Sequence, residues 1–274
     1  MRKPPRTLRP LALASVAFLI ARGAVAQTAG QPEPESAKAW VGRAAEIEDY
    51  LRTAKVVKLE QIPVGVTSPR RAYLEPGGPV DSLAFKALPP GRRGGFWESY
   101  KSEIAAYEID KLLGLDMVPP TVERRVEGEL GAASMWATPT KNFKQLGGTG
   151  VPTPPPTFFA KFNLALTRAK MFDNLIGNID PNLGNWLVDP SWNVILVDHS
   201  RCFGRDTRLY HTLIRVDAGL WEKMQALTEE RLETAVGRWV GQDEIRALLE
   251  RRERMASEID ELVKKHGAAA VFVK

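Results

Sequence analysis

Apolar positions recur along this chain at two different intervals, and the change from one to the other divides it. From Ser36 to about Ala54, Ala39, Val41, Ala45, Ile47 and Leu51 fit one face of a helix, with Ser36 placed to cap its start. Short runs follow at Val56–Ile62, Arg71–Leu74 and Leu83–Leu88, separated by Pro63-Val64-Gly65 and Glu75-Pro76-Gly77-Gly78, and they predict three strands. Trp97–Leu113 returns to helical spacing and closes at Gly114, a residue suited to a C-cap. Pro119-Pro120 ends that unit, and Val122–Val126 with Ala132–Ala137 predict a further hairpin. Between Thr138 and Pro156, Gly and Pro are dense enough to predict neither helix nor strand. Beyond it, Phe158–Ile176 reads as a helix, Trp186–Val197 as two short strands around Asp189-Pro190, and Ala218–His266 as helices. No internal repeat is visible. The expected fold is bilobal α+β: a linker and N-terminal helix at 27–54, a strand-rich lobe with one helix at 55–140, a Pro/Gly-rich hinge loop at 141–156 and a mostly helical lobe at 157–274.

Residues 1–26 have a different character. Arg2, Lys3, Arg6 and Arg9 precede the apolar run Leu11–Ile20, and Ala24-Val25-Ala26 before Gln27 has the form of a cleavage site. The run is too short for a stable membrane span, so a cleaved signal peptide is expected, with no membrane span after cleavage; an uncleaved leader would act as an anchor. Either outcome puts the body of the chain outside the cytoplasm, in a periplasm or secreted.

The leader also changes the meaning of the charge. The formal +5 comes from 38 basic and 33 acidic residues, and the leader carries five of the basic ones and none of the acidic ones. The remaining chain of about 248 residues is formally neutral, which removes the case for a nucleic-acid partner that a pI near 9.3 suggests. It is long enough for a substantial core. The single cysteine, Cys202, excludes an intramolecular disulfide framework, and with only His199, His211 and His266 beside it a cysteine-rich zinc site is excluded as well. Cys202 is read as a buried thiol, His211 as structural, and the charged helix from Asp243 to Lys265 as one that packs on its own lobe.

The most informative stretch is Asp173–Phe203, DNLIGNIDPNLGNWLVDPSWNVILVDHSRCF. Asp180 precedes Asn185 by five residues, and Asp198 follows thirteen later, directly after the apolar strand Val194-Ile195-Leu196-Val197. The first spacing is that of a kinase catalytic loop, and the last aspartate stands where a metal-binding aspartate would follow. Phosphoryl transfer needs a carboxylate to orient or deprotonate the acceptor hydroxyl, which is Asp180 here. It also needs oxygen ligands to hold a divalent metal against the phosphates, here Asn185 and Asp198. Taken singly, Asn178, Asp180, Asn182, Gly184 and Asn185 are also ordinary turn formers.

The run DNLIGNIDPNLGNWLV resembles the catalytic loop of the type II phosphatidylinositol 4-kinases and of the secretory-pathway kinases related to Four-jointed and the Golgi casein kinase, with HipA-like bacterial kinases as more distant relatives. It departs from them in two places. Pro181 stands where a basic residue follows the aspartate, and His199-Ser200 replaces Phe-Gly or Asn-Gly. The resemblance implies a protein-kinase-like fold and matching parts in the first lobe. Lys86, in Ser82–Leu88, is similar to the ATP lysine. Glu103, in KSEIAAYEIDKLLGL, is similar to its helix-borne partner, although Glu98 and Glu108 are rivals that only the family pattern sets aside. By residue type alone both are equally readable as solvated charges.

The segment from Pro63 to Arg71 lies where a phosphate-covering loop belongs. It has Gly65 but no glycine-rich motif, so Thr67 and Ser68 would meet phosphate, and an ordinary hairpin turn accounts for it equally well. Met135-Trp136-Ala137 is the expected hinge to adenine, with Trp136 either beside the base or in the core. The implied function is an ATP- and Mg²⁺- or Mn²⁺-dependent kinase acting on a hydroxyl-bearing acceptor: a protein, lipid head group, sugar or small molecule. The alternatives are an inactive pseudokinase that binds nucleotide or protein, and transfer of a nucleotidyl instead of a phosphoryl group. Nothing in the C-terminal lobe resembles an A-P-E segment, which favours a compact substrate or an unusual protein site.

Overall fold

In the structure, a computed structural model, residues 36–63 and 69–274 are described together with Met1. The signal-peptide expectation, most of the linker and the candidate phosphate-loop residues Gly65, Thr67 and Ser68 lie outside the described residues.

The first lobe is built on one antiparallel sheet. Helix α1 (Ala44–Thr53) leads into β1 (Val56–Gln61), β2 (Arg70–Leu74) and β3 (Ser82–Lys86); a small hairpin, β4 (Gly91–Arg93) and β5 (Phe96–Glu98), precedes helix α2 (Tyr100–Leu113), and β6 (Thr121–Val126) and β7 (Glu129–Met135) complete the unit. The strand order is β1-β2-β3-β7-β6. Pairing of β3 with β7 sets Lys86 opposite Ala132. The strands approach so closely there that a Cβ on Gly131 would lie 2.4 Å from the Lys86 carbonyl oxygen, so only glycine fits.

Helix α2 is fixed at both ends. The Ser99 side chain accepts from the Lys101 N–H, and Gly114 closes the helix in the left-handed region. The buried Asp110 carboxyl accepts from the N–H groups of Met117 and Val118 and so ties down the turn that follows. Burial pushes that carboxyl up to about 7, against the pull of those two amides. The expected start at Trp97 is corrected: Trp97 belongs to β5, and the helix begins only after the Ser99 cap.

The first expected helix is also shorter than its periodicity. Ser36 does not cap it; the Ser36 hydroxyl and the Ala37 N–H both donate to Asp189 in the second lobe, while Trp40 is buried in the first-lobe core. This leading segment therefore straps the two lobes together, and α1 starts at Ala44 once the strap has turned.

Strand β8 (Lys141–Asn142) and helix α3 (Phe143–Gly147) occupy part of the stretch expected to carry neither, a second correction. Its physical cause is a capping box, with Asn142 accepting from the Gln145 N–H and the Gln145 side chain accepting in return. After a 3₁₀ turn at Pro156–Phe158 comes the long helix α4 (Phe159–Ile176), then β9 (Trp186–Val188) and β10 (Val194–Leu196). The second lobe closes with β11 (Val216–Asp217), α5 (Ala218–Gln225), α6 (Glu229–Val236), α7 (Gln242–His266), α8 (Ala268–Val271) and β12 (Phe272–Val273), the last pairing in parallel with β11. Among the described residues no helix is long and apolar enough to cross a membrane.

Strand β10 holds the lobes together. Val194 and Leu196 face the helical core and Ile195 faces the sheet core, so all three are buried. That explains an unbroken apolar run immediately before Asp198.

Arg251 of α7 is fully buried and has no carboxylate partner among the described residues. Its Nε donates to the Leu175 carbonyl at 2.9 Å, and one Nη to the carbonyls of Gly204 and Asp206 at 3.0 and 2.7 Å. It thereby joins the end of α4 to the segment after Phe203. Gly177 ends α4 with φ 65°, and a Cβ there would meet the guanidinium at 2.7 Å. Burial lowers the Arg251 guanidinium to about 10, so it stays charged at neutral pH. Arg251→Met should lower stability by roughly 3 kcal/mol, because buried carbonyls lose their donor. A urea midpoint unchanged from the wild type would contradict this.

Candidate functional site

The two lobes enclose a cleft of about 820 Å³. Its walls come from β3, α2, the Met135–Ala137 connection, the loop after α4 and the turn after β10. Lys86 projects from β3 into it. Its Nζ donates to Glu103 Oε1 at 2.5 Å and to Asp198 Oδ1 at 2.7 Å. Burial opposes a charged lysine, yet the Asp198 and Glu103 carboxylates hold Lys86 above its ordinary value. Asp198 is likewise opposed by burial and is held below the usual carboxylate range by Lys86, with a further bond from the Ser200 hydroxyl.

Glu103 is buried, not solvated, and its second oxygen accepts from the His199 N–H at 2.9 Å. One carboxylate therefore fixes both the lysine and the segment beyond the metal-binding candidate. Two more bonds join α2 to that segment: Ser99 N–H to the Ser200 carbonyl at 2.9 Å, and the Ser102 hydroxyl to the Cys202 carbonyl at 3.3 Å. The rivals are occupied elsewhere, Glu98 with Arg201 and Glu108 with Lys111.

Asp198 has φ 66°, a left-handed conformation that aspartate tolerates better than most residues. The turn drives the His199 ring into the core, edge-on to Phe172. Histidine there fills an aromatic position, and burial lowers its pKa, so it packs as a neutral ring. The hairpin brings the two oxygen-donor candidates together. The Val197 N–H donates to the Asn185 carbonyl at 3.0 Å, setting Asn185 beside the residue that precedes Asp198.

Asp180 is held by a chain of buried polar groups. Asp173, completely buried, accepts from the Asn178 amide, and the Asn178 side-chain oxygen accepts from the Asp180 N–H. The other Asp173 oxygen lies 3.1 Å from His211 Nε2, and Asn174 secures the His211 backbone in both directions. His211 is thus structural, and its partners explain why DNxxxN opens the run. Within the loop, the Asn182 side chain accepts from the Gly184 N–H, a turn bond that leaves Asn185 to the cleft wall.

At the hinge, the Met135 N–H donates to the Pro120 carbonyl and the Trp136 N–H to the Ser82 carbonyl, so both amides are already used. The Trp136 ring lines the cleft and is covered by Arg71, whose guanidinium lies 4.4 Å from the ring centre while bonding Ser82. Arg201 went unremarked in the sequence. It lines the cleft, pairs with buried Glu98 at 2.8 Å and reaches Asp180 at 3.2 Å. Lys144 of α3 is a further cation in the cleft wall. Among the described residues three basic and three acidic side chains line the cleft, so these offer a nucleoside triphosphate no surplus positive charge. Among the described residues no cluster of three or more His, Cys, Asp or Glu could hold a metal alone. Asn185 and Asp198 instead offer the few hard oxygen donors suited to Mg²⁺ or Mn²⁺ that share their coordination with phosphate oxygens.

No family model matches the chain, and no curated protein matches it in sequence. Solved structures do match. The Golgi casein kinase with Mn/ADP bound superposes with a TM-score of 0.61 at 14% identity, over 84% of this chain and 78% of that one. The hydra Fam20 structure with sugar gives 0.64 at 15% identity, over 84% and 92%. A Helicobacter pylori proinflammatory kinase, CtkA, gives 0.50 at 12% identity, over 80% and 98%. Identities this low speak to architecture alone, and at that level the chain has the protein-kinase-like fold.

Proposed function

We propose that this chain is an ATP- and divalent-metal-dependent phosphotransferase acting on a hydroxyl acceptor outside the cytoplasm. The observation that carries the reading is Lys86 Nζ held between Glu103 and Asp198 in a cleft that also contains Asp180 and Asn185. A lysine fixed in this way is a point charge suited to the α- and β-phosphates. Asn185 and Asp198 would hold Mg²⁺ or Mn²⁺, whose charge would neutralise the triphosphate that the balanced cleft leaves uncompensated. The Golgi casein kinase structure with Mn/ADP supports a metal-nucleotide ligand at the level of the shared fold.

Asp180 orients the acceptor. The acceptor oxygen forms a bond to the γ-phosphorus, the bond to the bridging oxygen breaks, ADP departs, and the hydroxyl proton passes to the Asp180 carboxylate. With the Met135 and Trp136 amides already engaged, the adenine contact is assigned to the Trp136 carbonyl and the amides that follow it. The role of Gly65, Thr67 and Ser68 as the phosphate-covering loop is carried over from the sequence. Export rests on the leader at 1–26.

Calorimetric titration of the leaderless chain with ATP tests this, in Mg²⁺, in Mn²⁺ and in EDTA. Binding should require metal. Lys86→Met should weaken it about tenfold or more, and it should also lower the melting temperature, since the buried Glu103 and Asp198 carboxylates lose their shared cation. Absence of binding in all three conditions would end the phosphotransferase reading. Equal binding by Lys86→Met would make Lys86 a structural lysine.

A further inference from the structure

Pro181 follows Asp180, and the loop from Asn178 to Asn185 carries no basic residue, so Asp180 has no cation within its own loop. A cation reaches Asp180 from another segment of the chain. Arg201, three residues beyond Asp198, extends one Nη to Asp180 Oδ2 at 3.2 Å. Its Nε and other Nη both meet Glu98 Oε1 at 2.8 Å, and its guanidinium stacks 4.5 Å from the Phe96 ring centre. Glu98 and Phe96 belong to the β4–β5 hairpin, whose turn at Gly94-Gly95 has positive φ at both residues. The guanidinium is thus held from one side by a buried carboxylate and from its face by an aromatic ring. The edge that remains points into the cleft.

We infer that Arg201 binds the transferred phosphoryl group, supplying from the segment after Asp198 the cation that the catalytic loop lacks. This rests on the phosphotransferase reading and extends it. Lys86 stands on the Asp198 side of the cleft and Arg201 on the Asp180 side, so charge on the γ-phosphoryl oxygens would meet a cation at the end where the acceptor attacks. Arginine suits this position because its planar fork can keep Glu98 on one edge and offer another to phosphate oxygens, which a lysine cannot do. In the nucleotide-free arrangement the same Nη rests on Asp180, so binding of the phosphoryl group exchanges one anion for another.

The test uses ADP with Mn²⁺, alone and with aluminium fluoride, a planar stand-in for the transferred group, on the full leaderless chain. The wild type should bind ADP more tightly when the fluoride is present. Arg201→Gln should keep the affinity for ADP and Mn²⁺ but lose most of that gain, by roughly 10²-fold. Arg201→Lys should restore only part of it. Glu98→Gln, which leaves the guanidinium in place but loosens its support, should lose an intermediate share. A purely structural Arg201 would lower the melting temperature and leave the gain intact; an undiminished gain in Arg201→Gln overturns the assignment. If the wild type binds ADP and Mn²⁺ but shows no gain, the assignment is overturned while the nucleotide site stands. If it binds no metal-nucleotide at all, the phosphotransferase reading fails and the role of Arg201 falls with it.

Discussion

Asp198→Ala should bind ATP no better in Mg²⁺ or Mn²⁺ than in EDTA, a loss of at least about 100-fold in metal-supported affinity. Removing a direct oxygen ligand should cost at least as much as the 10- to 100-fold typical of outer-shell partners. The side chain would do more than hold metal, since it also pairs with Lys86 and accepts from Ser200. Alanine at φ 66° adds a backbone cost of about 1–2 kcal/mol. Asp198→Asn separates the two effects. Asparagine accepts the left-handed conformation and keeps the shape, so that variant should fold normally while losing the same metal dependence. Full metal-supported binding by Asp198→Asn in calorimetry would remove Asp198 from the metal site.

Asp180→Ala should do the opposite, keeping metal and nucleotide while losing transfer by about 10³-fold, within the range typical of a positioned general base. Asp180 is partly exposed and its own N–H, not its carboxylate, carries the bond to Asn178, so the loop should persist without it. Melting temperature and ATP affinity should stay close to the wild type, and Arg201 should remain anchored on Glu98. Phosphate release from ATP, with water in place of the acceptor, reads the effect. A variant that released phosphate at the wild-type rate would show that Asp180 is a turn residue.

How much of this was legible in the sequence depended on whether the deciding interaction was local. Asp180, Asn185 and Asp198 are bound by short spacings and one hairpin, and their conjunction was readable. Lys86 and Glu103 were readable only through the family pattern, because nothing local distinguishes a buried glutamate of α2 from the neighbouring Glu108. Ser36 looked like a helix cap, but Asp189, distant in sequence, competes for it. Trp97 matched helical periodicity although Gly94-Gly95 between two short flanks is a hairpin signal, and Ser99 is a good cap; both were in the sequence and outweighed by the apolar spacing. The β8–β9 pairing depends on a neighbour supplied by the fold. Arg251 and Arg201 were the least legible. A charged residue on an amphipathic helix is expected to face water, and only the carbonyls of Leu175, Gly204 and Asp206 show why Arg251 does not.

Cys202 lies in the short stretch between Asp198 and Phe203, fully enclosed, with burial raising its thiol well above the ordinary value. As the chain's only sulfhydryl it is protected chemically as well as sterically, since burial disfavours the thiolate needed for attack. The protein therefore carries its own reporter at its most informative position. The pace at which an alkylating reagent consumes this one atom is a direct clock for excursions of the strand-to-loop junction that holds the candidate metal ligand, without any engineered probe.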